Sequence, residues 1–498
     1  MTKKGTFMKH IPLIAVILLA LLTCGLFAAD FYLFTVPVTV ICILLGILAL
    51  LTVLLFFVQK KKAPRIIAVL LTIATAAASC GGILFNPYFN GISFHQNESP
   101  TLPYDTLIPA DKAADDLAYA LRYFRKVHPV MLDGDPAPVL DKAAEAEKRI
   151  RSGRSITVNA LTAEIEQIFA PLGDAHTSAF ANYAEPLYLK QYYKWKKDDW
   201  AITAVNGIPM KELLTRSSDL FSYEAESWEQ HQLSGYLISV QGLDYLGFDV
   251  NAGITYTFEN EAGETQTETY TAADYVTFDD YIAYNGEEST KASRDEPFVR
   301  FTIDKEHDLA LLTLDECIFN EEYTNCLRDL FTQVRAQNIG NVAVDLRSNG
   351  GGNDRTAFEF IRYLNHDTVQ YVSTSVRRGP IMRRDEAEQN SPVSRYTDLT
   401  FDGNVYVLTS AGSFSSAMLF ALYIKDNRFG TIIGEPPGND PNGYGDIVTF
   451  STPNAGIRFS VSTKHFYRVD KSCTDQYVMP DIPCNADDAL GMLYAQLS

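Results

Sequence analysis

The sequence predicts a multi-domain membrane protein, in which three N-terminal transmembrane helices precede an extracytoplasmic α/β core. Two observations lead to this prediction. The first 90 residues contain three long apolar segments without charged residues, and residues 298–498 alternate strand-like with helix-like segments. Strands that alternate with helices at this spacing are typical of an α/β sheet with largely parallel strands.

The charge is divided unevenly along the 498 residues, whose net charge is −19. Residues 1–90 contain seven Lys or Arg and one acid, a net +6, which leaves −25 for the remainder. An acidic body of this size repels phosphate backbones, so no nucleic-acid partner is expected. The chain is 47% hydrophobic and 12% aromatic, which excludes general disorder.

Each apolar segment is long enough to cross a bilayer, which takes about 20 residues of α-helix. A cleaved signal peptide would contain one shorter apolar core. A buried helical hairpin in a soluble protein is the other interpretation, and the charge-free length disfavours it. The segments are Ile11–Ala29, Phe31–Gln59 and Ile66–Phe85, with helices predicted at about 11–29, 33–58 and 66–85.

Basic residues predict the orientation in the membrane, because Lys and Arg concentrate in cytoplasmic loops. Three lysines precede the first segment, and Lys60–Lys62 and Arg65 separate the second from the third. Both clusters are therefore expected in the cytoplasm. Three crossings would then place everything after about Asn86 on the outer face of the cell membrane.

Composition divides the chain into five parts. A transmembrane region, 1–90, and a linker, 91–110, precede a helical subdomain at 111–185, in which Gly173 is a plausible helix stop. Short β-rich segments with turn residues make up 186–297, and the α/β core is 298–498. The last strand-like segments, DIVTFST and IRFSVSTKHF, are expected to extend the core sheet.

The seven cysteines give no metal-binding pattern, since the sequence contains neither CxxC nor HExxH. No metal or cofactor is therefore expected. Three cysteines lie in the apolar segments and four beyond them. On the outer face Cys473 could pair with Cys484.

Two strand–helix junctions are candidate ligand-binding or catalytic sites, because ligands gather at the carboxyl ends of parallel strands. In the first, Asn349 precedes three glycines whose backbone N–H groups could face a ligand, or which simply form a flexible turn. In the second, Ser413, Ser415 and Ser416 precede a helix. A serine there is most often a helix cap, but a nucleophile would have its oxyanion near free N–H groups.

A serine nucleophile needs a base, and His176 is the favoured candidate among eight histidines. It follows Gly173 and Asp174 at the end of a predicted helix and leads into a strand-like segment. His128 is second, although Pro129 indicates a role at a helix end. No GxSxG motif is present, which disfavours an α/β-hydrolase.

Together these segments resemble the C-terminal-processing, or tail-specific, serine protease family, in particular its tricorn-protease-like branch with a Ser/His pair. The resemblance covers roughly residues 110–498. Residues 200–214 are similar to the PDZ-like segment that often accompanies this core. The matching motifs are LGDAHT (172–177), AVDLRSNGGG (343–352), LTSAGSFSSAMLFA (408–421), IIGEPPGNDPNGYGD (432–446) and YVMPDI (477–482).

The resemblance implies a crotonase-like αβ sheet and a set of site residues. The nucleophile is Ser415, which lies 19 residues before the glycine of GEP, Gly434. The oxyanion donors are the N–H of Gly351 or Gly352 and the N–H of Ser416.

The base implied by the resemblance is His176, from the motif GDAHT. No lysine occurs between Lys425 and Lys464, so the Ser/Lys arrangement of the family's other branch is not expected. The acidic member should come from the C-terminal motif, where Thr474 occupies the aligned position. Asp475 beside it is the predicted acid, and Thr177 or Ser178 could orient the imidazole instead.

The expected function is therefore a membrane-anchored, extracytoplasmic serine endopeptidase. Its expected partners are protein or peptide substrates and the lipid bilayer. The alternative is a peptide-binding or sensing protein on the same fold with weak or no catalysis, which the absent lysine and the altered acidic motif would explain.

Overall fold

A computed structural model describes residues 11–33, 38–85, 99–180, 182–190, 196–197, 200–260, 262–285, 297–378, 381–388 and 390–497. The chain divides into two compact units. The first comprises residues 1–97 with 378–383, and the second comprises 98–377 with 384–498. Residues 91–98 of the predicted linker lie outside the described residues. Each unit is described by itself below.

The first unit contains three apolar helices that pack against one another. Their shared contacts bury Val16, Ala20, Leu48, Leu55 and Ala68. The hydroxyls of Thr52 and Thr72 lie 2.6 Å apart and so join the second helix to the third by a hydrogen bond. The helices are α1 (Ile11–Leu33), α2 (Val38–Val58) and α3 (Lys62–Phe85).

Two of these helices, not the predicted three, are long and apolar enough to cross a membrane. Within the described residues the candidate spans are Val40–Val58 in α2 and Lys62–Cys80 in α3. The apolar part of α1 is the shorter Pro12–Ala28. At 1.5 Å per residue its 17 residues rise only about 26 Å, less than the hydrocarbon core of about 30 Å.

The second unit begins with the predicted helical subdomain. Its elements are β1 (Leu107–Pro109), α4 (Ala110–Val127), α5 (Val130–Asp133), α6 (Ala137–Ser152), β2 (Ser155–Thr157), α7 (Val158–Phe169) and β3 (Ala179–Phe180). A 3₁₀ turn extends α7 and ends at Gly173, whose φ of +56° is left-handed. This conformation favours glycine and redirects the chain toward His176 and β3.

The segment predicted as β-rich contains four helices as well as strands. Its elements are β4 (Leu187–Leu189), β5 (Lys196–Lys197), β6 (Trp200–Val205), β7 (Ile208–Pro209), α8 (Met210–Ser217), α9 (Glu226–Tyr236), α10 (Val240–Tyr245), β8 (Ile254–Glu259), β9 (Thr265–Tyr270), β10 (Tyr275–Thr277) and α11 (Phe278–Asn285). The helices are only 6 to 11 residues long, too short for a helical period to stand out in the sequence. Buried Leu213, Leu233 and Leu243 join them to the sheet formed by β5, β6, β8 and β9.

The α/β core confirms the predicted alternation. Its strands are β11 (Val299–Asp304), β12 (Leu309–Leu314), β13 (Asn341–Asp345), β14 (Thr368–Val369), β15 (Ser373–Arg378), β16 (Ile381–Asp385), β17 (Ser391–Pro392), β18 (Asn404–Thr409), β19 (Thr431–Gly434), β20 (Tyr444–Ser451), β21 (Arg458–Tyr467) and β22 (Ile482–Pro483). Its helices are α12 (Glu321–Gln337), α13 (Arg355–Ile361), α14 (Ser416–Asp426) and α15 (Ala489–Leu497). The main sheet has the order β11-β12-β13-β18-β19-β22, and every pair except β11–β12 is parallel.

Both faces of this sheet are buried, which explains the continuous apolar runs of its strands. On one face Val344 and Val407 contribute to the main core, to which almost the whole of α14 belongs. On the other face Ala343 and Leu408 pack with Leu493 of α15. Because β13 and β18 are parallel neighbours, the junctions that follow them lie at the same edge of the sheet.

The prediction that DIVTFST and IRFSVSTKHF extend the core sheet is wrong. These segments form β20 and β21, an antiparallel pair in a separate sheet that also contains β3 and β15. Strand alternation predicts a strand but does not determine its partner. The separate sheet holds Ala179 and Phe180 against β21 and thereby positions the chain just after His176.

Asp116 provides a test of how the helical subdomain is attached. Its buried carboxylate accepts hydrogen bonds from Asn454 N–H at 3.0 Å and Ala455 N–H at 2.7 Å, in the turn between β20 and β21. We expect Asp116→Ala to lower the free energy of unfolding by about 2–3 kcal/mol, because it leaves buried donors unpaired. Denaturant unfolding of the solubilised chain measures this. Exposed Asp115→Ala is the control, and equal effects would contradict the assignment.

Candidate active site

Of the three serines at the second junction, only Ser415 has a free hydroxyl. Ser413 Oγ donates to the Leu346 carbonyl at 2.8 Å, and Ser416 Oγ donates to the Gly352 carbonyl at 2.8 Å. Ser415 Oγ makes no hydrogen bond to any described residue, and Ser415 lines a cavity of about 320 Å³. Ser413 and Ser416 therefore have structural side chains, and Ser415 has the unbonded hydroxyl that a nucleophile would need.

The backbone of Ser415 is strained. Its φ of 55° and ψ of −119° lie where residues other than glycine are rare. Asn439 Oδ1 accepts the Ser415 N–H at 2.8 Å, and the Ser415 carbonyl accepts the Leu419 N–H of α14 at 3.0 Å. Such strain persists only where its surroundings impose it, and it is common at active sites.

The triglycine turn contacts Ser415 directly. Gly351 has a φ of +105°, and a Cβ there would lie 2.6 Å from Ser415 Cβ and 3.0 Å from the Ser416 nitrogen. Gly352 has a φ of +134°, and a Cβ there would lie 2.4 Å from the Cys317 carbonyl oxygen. Any larger residue would separate the two junctions, so glycine here is required by close packing as well as by conformation.

Two backbone N–H groups beside Ser415 are unpaired within the described part of the chain, those of Gly352 and Ser416. The N–H of Gly351, in contrast, donates to Asn349 Oδ1 at 2.9 Å. The sequence left Gly351 and Gly352 as alternative donors. The geometry leaves Gly352 available, while Gly351 provides the close approach.

His176 lies at the same cavity as Ser415, 239 positions away in sequence. Its side chain is 9% exposed, and its ring packs on Phe414 with centroids 4.5 Å apart. The ring of Trp228, in α9, also stacks on the Phe414 ring, with centroids 4.1 Å apart. Residues of three regions therefore meet around Phe414: the helical subdomain, the predicted β-rich segment 186–297, called the inserted segment below, and the core.

Asp174 fixes the backbone of the His176 loop. Its Oδ1 accepts the His176 N–H at 2.9 Å, and its Oδ2 accepts from His128 Nε2 at 2.9 Å. His128 Nδ1 accepts the Val130 N–H at 3.1 Å, so Nε2 is the ring nitrogen that donates to Asp174. Burial acts to raise the pKa of Asp174, but the hydrogen bond from His128, then the charges that His128 and His176 carry at low pH, and last the hydrogen bond from Thr177 lower it to about 2.

The imidazole of His176 is held in its neutral form. Burial lowers its pKa, although the charges of Asp174 and Asp446 act in the opposite direction. Its Nδ1 lies 3.9 Å from Asp174 Oδ1, which is longer than a hydrogen bond. Among the described residues Nδ1 has no hydrogen-bond partner, and it is buried. A hydrogen bond between the ring and the Tyr444 backbone also acts to raise the pKa of His176.

Glu224 is a member of the site that sequence reasoning missed. Its carboxylate, the imidazole of His176 and the carboxylate of Asp174 offer ligand atoms within 4.8 Å of one another, a spacing that a metal ion could also bridge. Burial, followed by the charge of Asp174, raises the pKa of Glu224 well above its usual value. Glu224 lies in the inserted segment, in the polar stretch YEAESWEQ, which gives no motif.

The structure does not place the predicted acid, Asp475, with His176. Asp475 is exposed, does not line the cavity, and its carboxylate contacts Cys473 Sγ at 3.7 Å. The loop that carries it is bonded instead through its backbone to Arg468. Thr177 is also occupied, since its hydroxyl accepts the Ser462 N–H. All seven cysteines are free, so Cys473 and Cys484 are not paired.

Comparison of the sequence with known protein families agrees with this fold. Residues 308–484 match the sequence profile of peptidase family S41. The chain carries an S41 peptidase domain. It is accordingly a serine-type peptidase, and the S41 domain contains Ser415 and the triglycine turn, whereas His176 and Glu224 precede it.

Solved structures are similar to this chain at low sequence identity, and the two CPAF structures share its fold. Mature CPAF is 14% identical, with a TM-score of 0.53 over 78% of this chain and 95% of that chain. A CPAF mutant is 13% identical, with a TM-score of 0.55 over the same shares. The photosystem II D1 C-terminal processing protease is 14% identical, with a TM-score of 0.41 over 76% and 94%. No curated protein sequence matches the chain.

The His128–Asp174 pair provides a stability test of the site. Replacing His128 with Phe leaves a buried carboxylate short of a donor, so we expect a loss of about 3–5 kcal/mol in unfolding free energy near neutral pH. His307→Phe is the matched control, because its 2.8 Å pair with Asp304 is partly exposed and should contribute much less to stability.

The same pair predicts a pH dependence. Asp174 has a lowered folded pKa of about 2, so its stabilisation is complete above its unfolded pKa of about 4 and lost as pH falls toward 2. The difference in unfolding free energy between wild type and His128→Phe should shrink over that interval. A difference that stays constant with pH would contradict the assignment.

Proposed function

We propose that this chain is an endopeptidase that hydrolyses peptide bonds of proteins or peptides, with Ser415 as nucleophile and His176 as general base. One observation carries the proposal: the free hydroxyl of Ser415 lies beside two unpaired N–H groups and shares a cavity with a neutral imidazole. These are the parts that acyl transfer through a serine requires.

The acylation step follows from these positions. His176 Nε2 takes the proton from Ser415 Oγ as Oγ bonds to the carbonyl carbon of the substrate. The C–N bond then breaks, and His176 returns the proton to the departing amine. Water, deprotonated by the same nitrogen, attacks the ester, and the new acid leaves as Ser415 regains its proton.

The oxyanion of each tetrahedral intermediate would accept hydrogen bonds from the N–H groups of Gly352 and Ser416. Ser416 opens α14, so the positive end of the helix dipole also faces the developing charge. Loss of a single such donor typically lowers the rate about 10²- to 10³-fold. The two donors therefore contribute directly to catalysis.

The walls of the cavity fit a polypeptide substrate. Met418, Leu419 and Phe466 offer apolar contacts, and Asp354 and Lys464 are charged. We further propose that residues 200–214 serve as a PDZ-like element. In support, β6 and β7 lead directly into α8 within a compact sheet and helix unit.

We also propose that the first unit anchors the protease in the cell membrane, with the catalytic unit outside. The basic loop Lys60–Lys62 joins the two candidate spans, and positive loops remain in the cytoplasm. Helix α3 then leads outward, so the chain after Phe85 emerges on the outer face. The basic loop and α3 give the same location for the catalytic unit whether or not α1 crosses the membrane.

Replacing Ser415 with Ala tests the nucleophile. In the solubilised full-length chain we expect loss of covalent labelling by a fluorophosphonate and a fall of at least about 10³-fold in hydrolysis of an unfolded protein. Ser413→Ala should still be labelled, because its hydroxyl is bonded to Leu346. Labelling of Ser415→Ala would contradict the proposal, and labelling without turnover in wild type would favour the peptide-binding alternative.

Cysteine accessibility in intact cells tests the topology. A membrane-impermeant maleimide should label Ser472→Cys, in the exposed loop after β21, without permeabilisation. Lys61→Cys, between the candidate spans, should be labelled only after the cells are permeabilised. The native cysteines are replaced by Ser or Ala in both variants. The reverse pattern would place the catalytic unit in the cytoplasm.

A further inference from the structure

Two buried polar atoms beside the cavity lack a hydrogen-bond partner among the described residues: His176 Nδ1 and Glu224 Oε1. Both residues belong to the cluster whose ligand atoms lie within 4.8 Å of one another. A buried polar atom without a partner costs about 1–3 kcal/mol, so two such atoms of complementary chemistry in one cluster need an explanation.

Asp174 does not supply the partner for Nδ1. Its Oδ2 is bonded to His128, and its Oδ1 accepts the backbone N–H of His176 itself. The side-chain Nδ1 is 3.9 Å from the same oxygen. Asp174 therefore fixes the loop backbone and leaves Nδ1 without an acceptor among the described residues.

Glu224 is held next to the cavity by two other contacts. Its Oε2 accepts the N–H of Asp440, a cavity residue, and its backbone carbonyl accepts the Tyr477 hydroxyl at 3.1 Å. Tyr477 is the first residue of the C-terminal motif YVMPDI (477–482). The acid was expected just before this motif, where Thr474 and Asp475 are exposed. Glu224 thus lies against the motif that lacks its acid.

We propose that Glu224 is the positioning residue that orients His176, by accepting the Nδ1–H hydrogen bond during turnover. The inference rests on the proposed function. With the proton on Nδ1, the lone pair of Nε2 is directed to Ser415 Oγ. In the transition state the imidazole is protonated on both nitrogens, and Glu224 and Asp174 together stabilise that cation. Catalytic hydrogen bonds are often long before substrate binds.

The surroundings of Glu224 predict how activity depends on pH. Asp174, Asp440 and Tyr477 are the titratable groups that face Glu224, and with burial the two aspartates raise its pKa. The ionised form that accepts from Nδ1 is therefore favoured only as pH rises. Activity should increase with pH as the Glu224–His176 pair loses a proton, with apparent pKa values that belong to the pair.

Replacing Glu224 with Gln tests this role. In the solubilised full-length chain we expect kcat/KM for a peptide substrate to fall about 10²- to 10⁴-fold, with an altered pH profile on the acidic side. Glu224→Asp, which retains a carboxylate, should recover part of the loss. Two matched controls should retain wild-type kcat/KM and pH profile: Glu229→Gln, a buried acid five residues away, and Asp475→Asn, the acid predicted from sequence.

The outcomes separate this inference from the proposed function. If Ser415→Ala and His176→Ala are inactive while Glu224→Gln keeps wild-type kcat/KM, the role of Glu224 is overturned and the protease proposal stands. If Ser415→Ala keeps full activity, the protease proposal itself fails. Should Glu224→Gln unfold, ¹⁵N-histidine NMR of the wild type decides. A protected Nδ1–H on His176 supports the inference, and a neutral imidazole protonated only on Nε2 overturns it.

Discussion

The parallel pairing of β13 with β18 is the constraint on which the site depends. It brings the ends of both strands to one edge of the sheet, so the triglycine turn and the serine loop must occupy the same space. Only glycine at position 351 allows this, since a Cβ there would lie 2.6 Å from Ser415 Cβ. The close approach leaves the N–H groups of Gly352 and Ser416 beside the Ser415 hydroxyl, the proposed nucleophile.

The site is completed by parts of the chain outside the sheet. The His176 loop is held by Asp174, by pairing of β3 with β21, and by the hydrogen bond from Ser460 Oγ to the His176 carbonyl. Trp228 and Glu224 reach it from the inserted segment. The catalytic geometry is therefore a property of the whole second unit, although the S41 domain covers only residues 308–484.

Local sequence predicted the parts of this arrangement that are contiguous in the chain. Apolar runs predicted the strands and helices of the core, and the motifs containing Gly352, Ser415 and His176 marked three segments that the structure brings together. Hydrophobic periodicity gave wrong predictions where the interacting residues are far apart in the sequence. It assigned β20 and β21 to the wrong sheet and missed the short helices α8 to α11. The apolar run Ile11–Ala29 was also predicted to span the membrane, but the apolar part of α1 is the shorter Pro12–Ala28.

Glu224 shows why the rest of the site could not be predicted. The hydrogen bond that holds it joins residues 216 positions apart, and no local pattern distinguishes it from neighbouring acids such as Glu226 and Glu229. His128 was interpreted as a helix end, which it is, but its buried bond to Asp174 depends on a fold contact 46 positions away. Asp475 was chosen by proximity to a motif, but it is exposed and does not line the cavity that contains His176.

A crystal structure of the full chain after reaction with a fluorophosphonate would test the central claim most directly. The account predicts a phosphorus–oxygen bond at Ser415 Oγ, with the phosphoryl oxygen accepting hydrogen bonds from both the Gly352 and Ser416 N–H groups. An adduct on another residue, or a phosphoryl oxygen directed away from these two groups, would contradict it.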